Sequence, residues 1–251
     1  MTNTTISLVT GANRGMGLEI VKELATAGQT VLLGSRDLNK GQEAAQKLAA
    51  EGLAVEAIQL DITDTDAITR AVDFVSNKYG RLDVLINNAG ASFDKFQDPS
   101  ILKLDVIRRE FELNVFGTID MTQQFIPLLK KSPNAKIINI SSMMGSLTEA
   151  LNPQSSVYNA SSMGYQATKS ALNMFTVQLA KEFQRKDIPI TVNAIDPGLV
   201  ATEFGGTSAD SALEYGAQPV EVGVARTVEL VTSPDNDITA TFSNTHGEVN
   251  W

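Results

Sequence analysis

Short runs of β-branched and aliphatic residues alternate with longer segments of helical period, and no other feature of the chain narrows its fold as much. Ile6 to Thr10 is followed by a helical pattern from Gly15 to Ala27, Thr30 to Leu33 by Leu38 to Ala50, and Val55 to Leu60 by Asp64 to Lys78. The rhythm continues with Leu82 to Ile86, a long helical stretch from Ile101 to Lys131, Lys136 to Ile140, a helix from Gly164 to Gln184, and Ile190 to Ile195. Strands separated by whole helices cannot pair as hairpins, so the pattern predicts parallel strands joined by right-handed helical crossovers. Runs such as Asp83-Val84-Leu85-Ile86 and Lys136-Ile137-Ile138-Asn139-Ile140 are almost continuously apolar. That suits a sheet covered by helices on both faces.

The 251 residues, 43% hydrophobic and 20% charged, suffice for a sizeable core, and no linker-like stretch divides them, so one α/β domain over residues 1–251 is expected. A net charge of -9 with no basic stripe argues against nucleic acid or an anionic membrane as partner and points to a small molecule. The absence of cysteine removes disulfides, thiolate catalysis and cysteine-bound metals. The one histidine, His246, lies in a polar stretch and cannot build a multi-histidine zinc site, so no metal is expected. There is no positive region at the N-terminus and no apolar run of spanning length, which makes a cytoplasmic location the expectation.

The first predicted strand ends in Thr10-Gly11-Ala12-Asn13-Arg14-Gly15-Met16-Gly17 and runs into an amphipathic helix. Glycines let backbone approach a phosphate, and a helix start offers N–H groups and a favourable dipole. The spacing G-x-x-x-G-x-G is a variant of the dinucleotide fingerprint, and its place between strand and helix predicts a Rossmann-like doubly wound sheet that binds a nucleotide. The second strand leads into Ser35-Arg36-Asp37, near the position where an acidic residue receives the ribose hydroxyls of NAD. A guanidinium there suits a 2'-phosphate, with Arg14 as a second positive charge, so NADPH is the expected cofactor. Asp37 keeps NAD open, as does the reading of both arginines as solvated surface.

Tyr165 and Lys169 stand four residues apart on a predicted helix, which puts both side chains on one face. A fixed ammonium beside a phenol lowers its pKa and fits it for proton exchange with a carbonyl or alcohol oxygen. Tyr158 is close in sequence but has Ser162 four residues on, and so lacks that cation.

Taken in order, the loop Thr10 to Gly17, Leu60-Asp61-Ile62, Asn87-Asn88-Ala89-Gly90, Asn114, Ser141-Ser142, Tyr165-Gln166-Ala167-Thr168-Lys169 and Asp196-Pro197-Gly198 resemble the short-chain dehydrogenase/reductase superfamily, and carbonyl reductases in particular. The resemblance covers about Thr5 to Thr202. It implies a tetrad of Asn114, Ser142, Tyr165 and Lys169. In it Tyr165 is the catalytic acid/base, Lys169 tunes it and holds the nicotinamide ribose, Ser142 binds the substrate oxygen, and Asn114 anchors a proton-relay water. It further implies cofactor contacts from Gly11, Asn13, Arg14, Gly15, Met16, Gly17, Ser35 and Arg36 in the first half of the site. Asp61 and Ile62 would lie near the adenine, Asn88, Ala89 and Gly90 beside the ribose, and Pro197, Gly198, Val200 and Thr202 near the carboxamide.

The expected activity is NADPH-dependent reduction of a ketone or aldehyde. Alternatives are an NAD-dependent hydroxysteroid or polyol dehydrogenase and a non-catalytic NADP-sensing regulator. Residues 143–163 and 203–235 are expected to cover the substrate pocket, the first carrying Met143, Met144, Leu147, Leu151 and Tyr158, which core filling would explain equally well. The resemblance leaves monomer, homodimer and homotetramer open.

Overall fold

The computed structural model describes residues 4–206, 208–234 and 238–251. Strands β1 (Ile6–Val9), β2 (Thr30–Ser35), β3 (Val55–Gln59), β4 (Val84–Asn87), β5 (Ala135–Ile140), β6 (Ile190–Ile195), β7 (Phe242–Asn244) and β8 (Gly247–Glu248) form one sheet. Their order is β3-β2-β1-β4-β5-β6-β7-β8, with every neighbouring pair parallel except β7 and β8. The helices are α1 (Gly15–Thr26), α2 (Leu38–Ala50), α3 (Thr65–Tyr79), α4 (Leu104–Phe111), α5 (Thr118–Leu129), α6 (Leu147–Leu151), α7 (Met163–Arg185), α8 (Ala209–Glu214) and α9 (Val220–Thr232). The expected doubly wound parallel sheet is therefore observed.

Alternation along each strand sends neighbouring residues to opposite faces. Leu8, Leu32, Leu85, Ile137 and Val192 point into one core with α3, α5 and α7, while Val9, Val31, Leu33, Ile86 and Ile138 point into a second with α1, α2 and α9. Helix starts are fixed by side chains where the sequence supplies them: Asp37 caps α2 through Lys40 N–H, and Asp64 caps α3 through Asp66 and Ala67 N–H. Gly80, left-handed at φ 74°, ends α3.

Two expectations need correction. The long helix begins at Leu104 rather than Ile101 and is interrupted by a π-helical turn over Glu112–Gly117, so it is not one continuous α-helix. The last strand is shifted from Ala240–Phe242 to Phe242–Asn244, because Ala240 takes a left-handed φ of 60° that no strand accommodates. It then turns back as the short hairpin partner β8. Residues 207 and 235 of the expected pocket cover lie outside the described residues. No helix among those described is long and apolar enough to cross a membrane, and no three acidic or histidine side chains among them gather as a metal site.

Candidate active site

From β1 the chain winds outward through β2 and β3, then returns to lay β4 on the other side of β1, leaving a crevice beyond the carboxyl ends of β1 and β4. Thr10 and Asn88, the residues following those strands, stitch its floor. The Thr10 hydroxyl accepts from Asn88 and Ala89 N–H, each at 3.0 Å. Asn88 Nδ2 donates to the carbonyls of Thr10 at 2.9 Å and Gly11 at 3.2 Å. Gly11 is left-handed at φ 63°, and a Cβ at Gly17 would lie 2.5 Å from Asn88 Nδ2 and 2.6 Å from the Gly11 carbonyl. The loop thus admits backbone only. No side chain caps α1, whose first N–H groups face the crevice end of the helix, where a pyrophosphate would fit. Asn13 is half-buried, and Met16 packs its side chain against the core, leaving main chain to the ligand.

Around the expected phosphate position the side chains separate. Ser35 is only 1% exposed and its hydroxyl donates to the Asp37 carbonyl at 2.7 Å, so it shapes the turn instead of facing a ligand. The Asp37 carboxylate is engaged in capping α2. Arg36 is exposed and makes no ion pair among the described residues. Arg14 is held by an ion pair and hydrogen bond to Glu203, a partner the sequence did not suggest. Asp61 accepts from Thr63 N–H at 3.0 Å and the Thr63 hydroxyl at 2.7 Å, while buried Ile62 presents its carbonyl against Gly117.

Asn114, Ser142, Tyr165 and Lys169 come together from α4–α5, the end of β5 and the first turns of α7. Gly90 sits between two of them: a Cβ there would be 3.2 Å from Asn114 Oδ1 and 3.8 Å from Lys169 Nζ. Asn114 lies in the π-helical turn, a local widening frequent at functional sites. Its side chain clamps Ala91, accepting from the N–H at 2.9 Å and donating to the carbonyl at 2.8 Å, and also donates to the Thr168 hydroxyl at 3.1 Å. Ser142 accepts from Met144 N–H at 3.2 Å, and its hydroxyl lies close enough to the Tyr165 phenol to favour the phenolate. Lys169 donates to the Ile140 carbonyl at 2.7 Å, its Nζ 5.5 Å from the centre of the Tyr165 ring.

In the chain itself, burial governs both ionisable groups of this pair. Burial pushes the Tyr165 phenol above its ordinary range; the Ser142 hydroxyl opposes this, and the negative charges of Asp196, Glu110 and Asp94 reinforce it. Lys169 is itself pushed down to about 8 by burial. The spacing placed the ammonium near the ring, as expected, but desolvation dominates, and in the chain itself the phenol is kept protonated rather than acidified.

Beyond β6, Asp196 accepts from Met143 N–H at 2.9 Å and Gly198 N–H at 3.3 Å, tying the loop after Ser142 to the loop after β6. Val200 pairs with Gln218 through the Leu199 carbonyl and the Ala201 N–H, an arrangement that leaves Val200's own main-chain groups out of the pairing. Gln218 also holds the Pro197 carbonyl, and Thr202 packs opposite Gly15 across the crevice. The tetrad and the glycine loop therefore share one rim.

Two residues around this rim were missed. Phe204 meets the Tyr165 ring edge-on at 5.6 Å. Trp251 packs on Phe242 at 5.5 Å, and its carbonyl accepts from the hydroxyls of Ser146 and Thr148, strapping the segment after Ser142. An aromatic just past Thr202 and the lone tryptophan were visible signals. Leu147, Leu151 and Tyr158 are exposed at 72%, 79% and 46%, so core filling is not their role.

Residues 5–212 match the model of the short chain dehydrogenase family. The chain belongs to that family. It is an oxidoreductase of the carbonyl reductase-like kind. It is 35% identical over 248 residues to carbonyl reductase (NADPH) 1 of Macaca fascicularis, covering 85% of this chain and 88% of that one. It is 31% identical over 285 residues to (+)-neomenthol dehydrogenase of Arabidopsis thaliana, with 92% of each covered. An NADPH-bound carbonyl reductase from chicken fatty liver superposes with a TM-score of 0.83 at 28% identity, with 99% of each chain covered.

Proposed function

We propose that this chain reduces a ketone or aldehyde with NADPH, and that Tyr165 gives the proton to the carbonyl oxygen. The observation that carries the reading is the convergence of the Tyr165 phenol with Ser142, Asn114 and Lys169 at the rim of a glycine-lined crevice. A protonated phenol is what a developing alkoxide needs. The reverse oxidation of an alcohol would use the same residues, with Tyr165 taking the proton. General acid catalysis of this kind lowers the barrier by roughly 3 to 5 kcal/mol.

The bound cofactor would supply the hydride. Gly15, Met16 and Gly17 N–H would hold its pyrophosphate, Asp61 the adenine side, Gly90 and Lys169 the ribose, and Val200 and Thr202 the carboxamide. Arg36 would meet the 2'-phosphate. Support for NADPH comes from the exposed guanidinium at Arg36, from Asp37 being spent on α2, and from the NADPH of the Macaca fascicularis and chicken fatty liver carbonyl reductases. Residues 143–163 and the described part of 203–235 would cover the substrate, with Phe204 against the phenol ring.

The test is NADPH consumption over a panel of ketones and aldehydes, with Tyr165→Phe alongside. The variant should bind NADPH nearly as wild type does and lose about a hundredfold or more in kcat. Retention of more than about a tenth of kcat would overturn the proton-donor assignment. Tyr158→Phe, which removes an exposed phenol, should be far milder.

A further inference from the structure

Behind the tetrad lie two carboxyl groups that the mechanism does not use. Glu110, on α4, is fully buried, and Asp94, on the loop after β4, is 1% exposed. Glu110 Oε1 accepts from the N–H groups of Phe93 at 2.5 Å and Asp94 at 3.0 Å, whereas its buried Oε2 has no hydrogen-bond partner. The Asp94 carboxylate accepts from the Ser162 hydroxyl at 2.6 and 2.8 Å and from Tyr165 N–H at 3.2 Å. Leaving an oxygen of a buried carboxyl without a partner is costly, so its persistence requires a reason.

The reason is in the first turn of α7. Ser162, its N-cap residue, makes no capping bond of its own; its hydroxyl is turned to Asp94 instead. Asp94 therefore acts as the cap from outside the helix, on the N–H of Tyr165 itself, where a negative group is also favoured by the helix dipole. Glu110 Oε2 abuts Gly164, where a Cβ would collide with it, so glycine alone lets the helix settle onto this carboxyl. After Asp94 the backbone passes through two left-handed residues, Lys95 at φ 49° and Phe96 at φ 58°. Such strain endures only where surrounding contacts fix it, and here Phe96 N–H donates at 3.4 Å to Asp94, which Glu110 and α7 hold in turn.

We infer that Asp94 and Glu110 are positioning residues for Tyr165, Asp94 by holding the catalytic residue's own N–H and Glu110 by fixing Asp94 and wedging against Gly164. This rests on the reductase reading for its catalytic consequence. The geometric part stands apart from that reading: the pair locks the first turn of α7.

The experiment uses the full chain as wild type, Asp94→Ala, Glu110→Ala and Glu110→Gln, each checked for folding by circular dichroism. Amide hydrogen exchange over 163–169 should quicken at least about tenfold in both alanine variants, while 172–183 of the same helix stays as in wild type. In ketone reduction kcat should fall about tenfold to a hundredfold, the size expected of a misplaced reacting group, with NADPH affinity changed less than about threefold. Glu110→Gln should restore both readouts, because its amide oxygen accepts the same two N–H bonds. Folded alanine variants with unchanged exchange over 163–169 would overturn the inference. So would equal losses of kcat and NADPH affinity, or glutamine behaving like alanine. A wild-type protein that reduces no carbonyl would sink the reductase reading, and the exchange measurement would still decide whether the pair holds the helix.

Discussion

The ammonium of Lys169 lies 5.5 Å from the centre of the Tyr165 ring, yet its hydrogen bond goes to the Ile140 carbonyl at 2.7 Å. The two side chains share a helix face, as i and i+4 residues must, but each is governed more by loss of water than by the other. Both shifts favour the neutral forms. A buried ammonium beside a part-buried phenol thus describes a site that still holds the phenol's proton before substrate arrives.

That arrangement predicts a stability gain from destroying the site. Burial takes the Lys169 ammonium from its ordinary 10.5 down to about 8, a bias against the charged form worth about 3 kcal/mol. Between those values the unfolded chain binds more protons than the folded one, so this group's cost is fully present below pH 8 and fades as pH rises toward 10.5. Lys169→Met removes the cost and strands the Ile140 carbonyl, a loss of about 1 to 3 kcal/mol. The variant should be inactive, at least as stable as wild type at neutral pH, and should lose its relative advantage near pH 10. Denaturant titrations at the two pH values check this; a variant clearly less stable at neutral pH would contradict it.

The segment that follows Ser142 should set substrate preference. Leu147, Leu151 and Tyr158 are solvent-facing, and Trp251 straps the same segment through Ser146 and Thr148. Replacing Met144 or Tyr158 should change relative kcat/KM across ketones more than it changes NADPH affinity. Phe204→Ala, which strips the edge contact from the Tyr165 ring, should widen the range of accepted ketones. A flat substrate profile across these variants would show that the pocket is built elsewhere.

The strands and most helices were legible because burial imposes a pattern: Val9 and Leu8 must face different cores, and Ile68, Ala71 and Val75 must share one helix face. That Asn114, Ser142, Tyr165 and Lys169 come together was legible because they are tied to strand ends and helix turns that the pattern already located. What escaped were effects of tertiary contact. Nothing local in Glu112–Gly117 announces a π-helical turn, and Ala240 carries no residue-type signal for a left-handed backbone. Arg14 could not be paired with Glu203 across 189 positions, nor could the spacing of Tyr165 and Lys169 reveal that burial would weigh on them more than each other's charge.

Gly17 tests the phosphate cradle apart from chemistry. An added Cβ would lie 2.5 Å from Asn88 Nδ2 and 2.6 Å from the Gly11 carbonyl, and two of these neighbours are bonded to each other. Neither can retreat without breaking the stitch between β1 and β4. Gly17→Ala should therefore cost about 1 to 3 kcal/mol of stability and weaken nucleotide binding at least about tenfold. Thermal melts with and without NADPH would show both, and a variant stabilised by NADPH as strongly as wild type would count against the cradle.

The cofactor preference turns on Arg36 and on the contest for Arg14. Arg36 is exposed, so a 2'-phosphate reaching it gains a charge-assisted pair worth roughly 1.5 to 3 kcal/mol, or about tenfold to a hundredfold and more in affinity. Arg36→Ala should lose that factor with NADPH and almost none with NADH. Arg14 is held by Glu203 through an exposed pair, which contributes little to stability and must open before the guanidinium can meet a phosphate. Glu203→Gln should accordingly tighten NADPH by a few-fold while leaving NADH unchanged. Carrying a carboxylate to position 35 is the poorer test, because the Ser35 side chain is buried against Gly41 and an aspartate there would be trapped without water. The measurement is kcat/KM for both cofactors in wild type, Arg36→Ala and Glu203→Gln. A wild-type enzyme that uses NADH equally well would show Arg36 and Arg14 to be solvated surface charges.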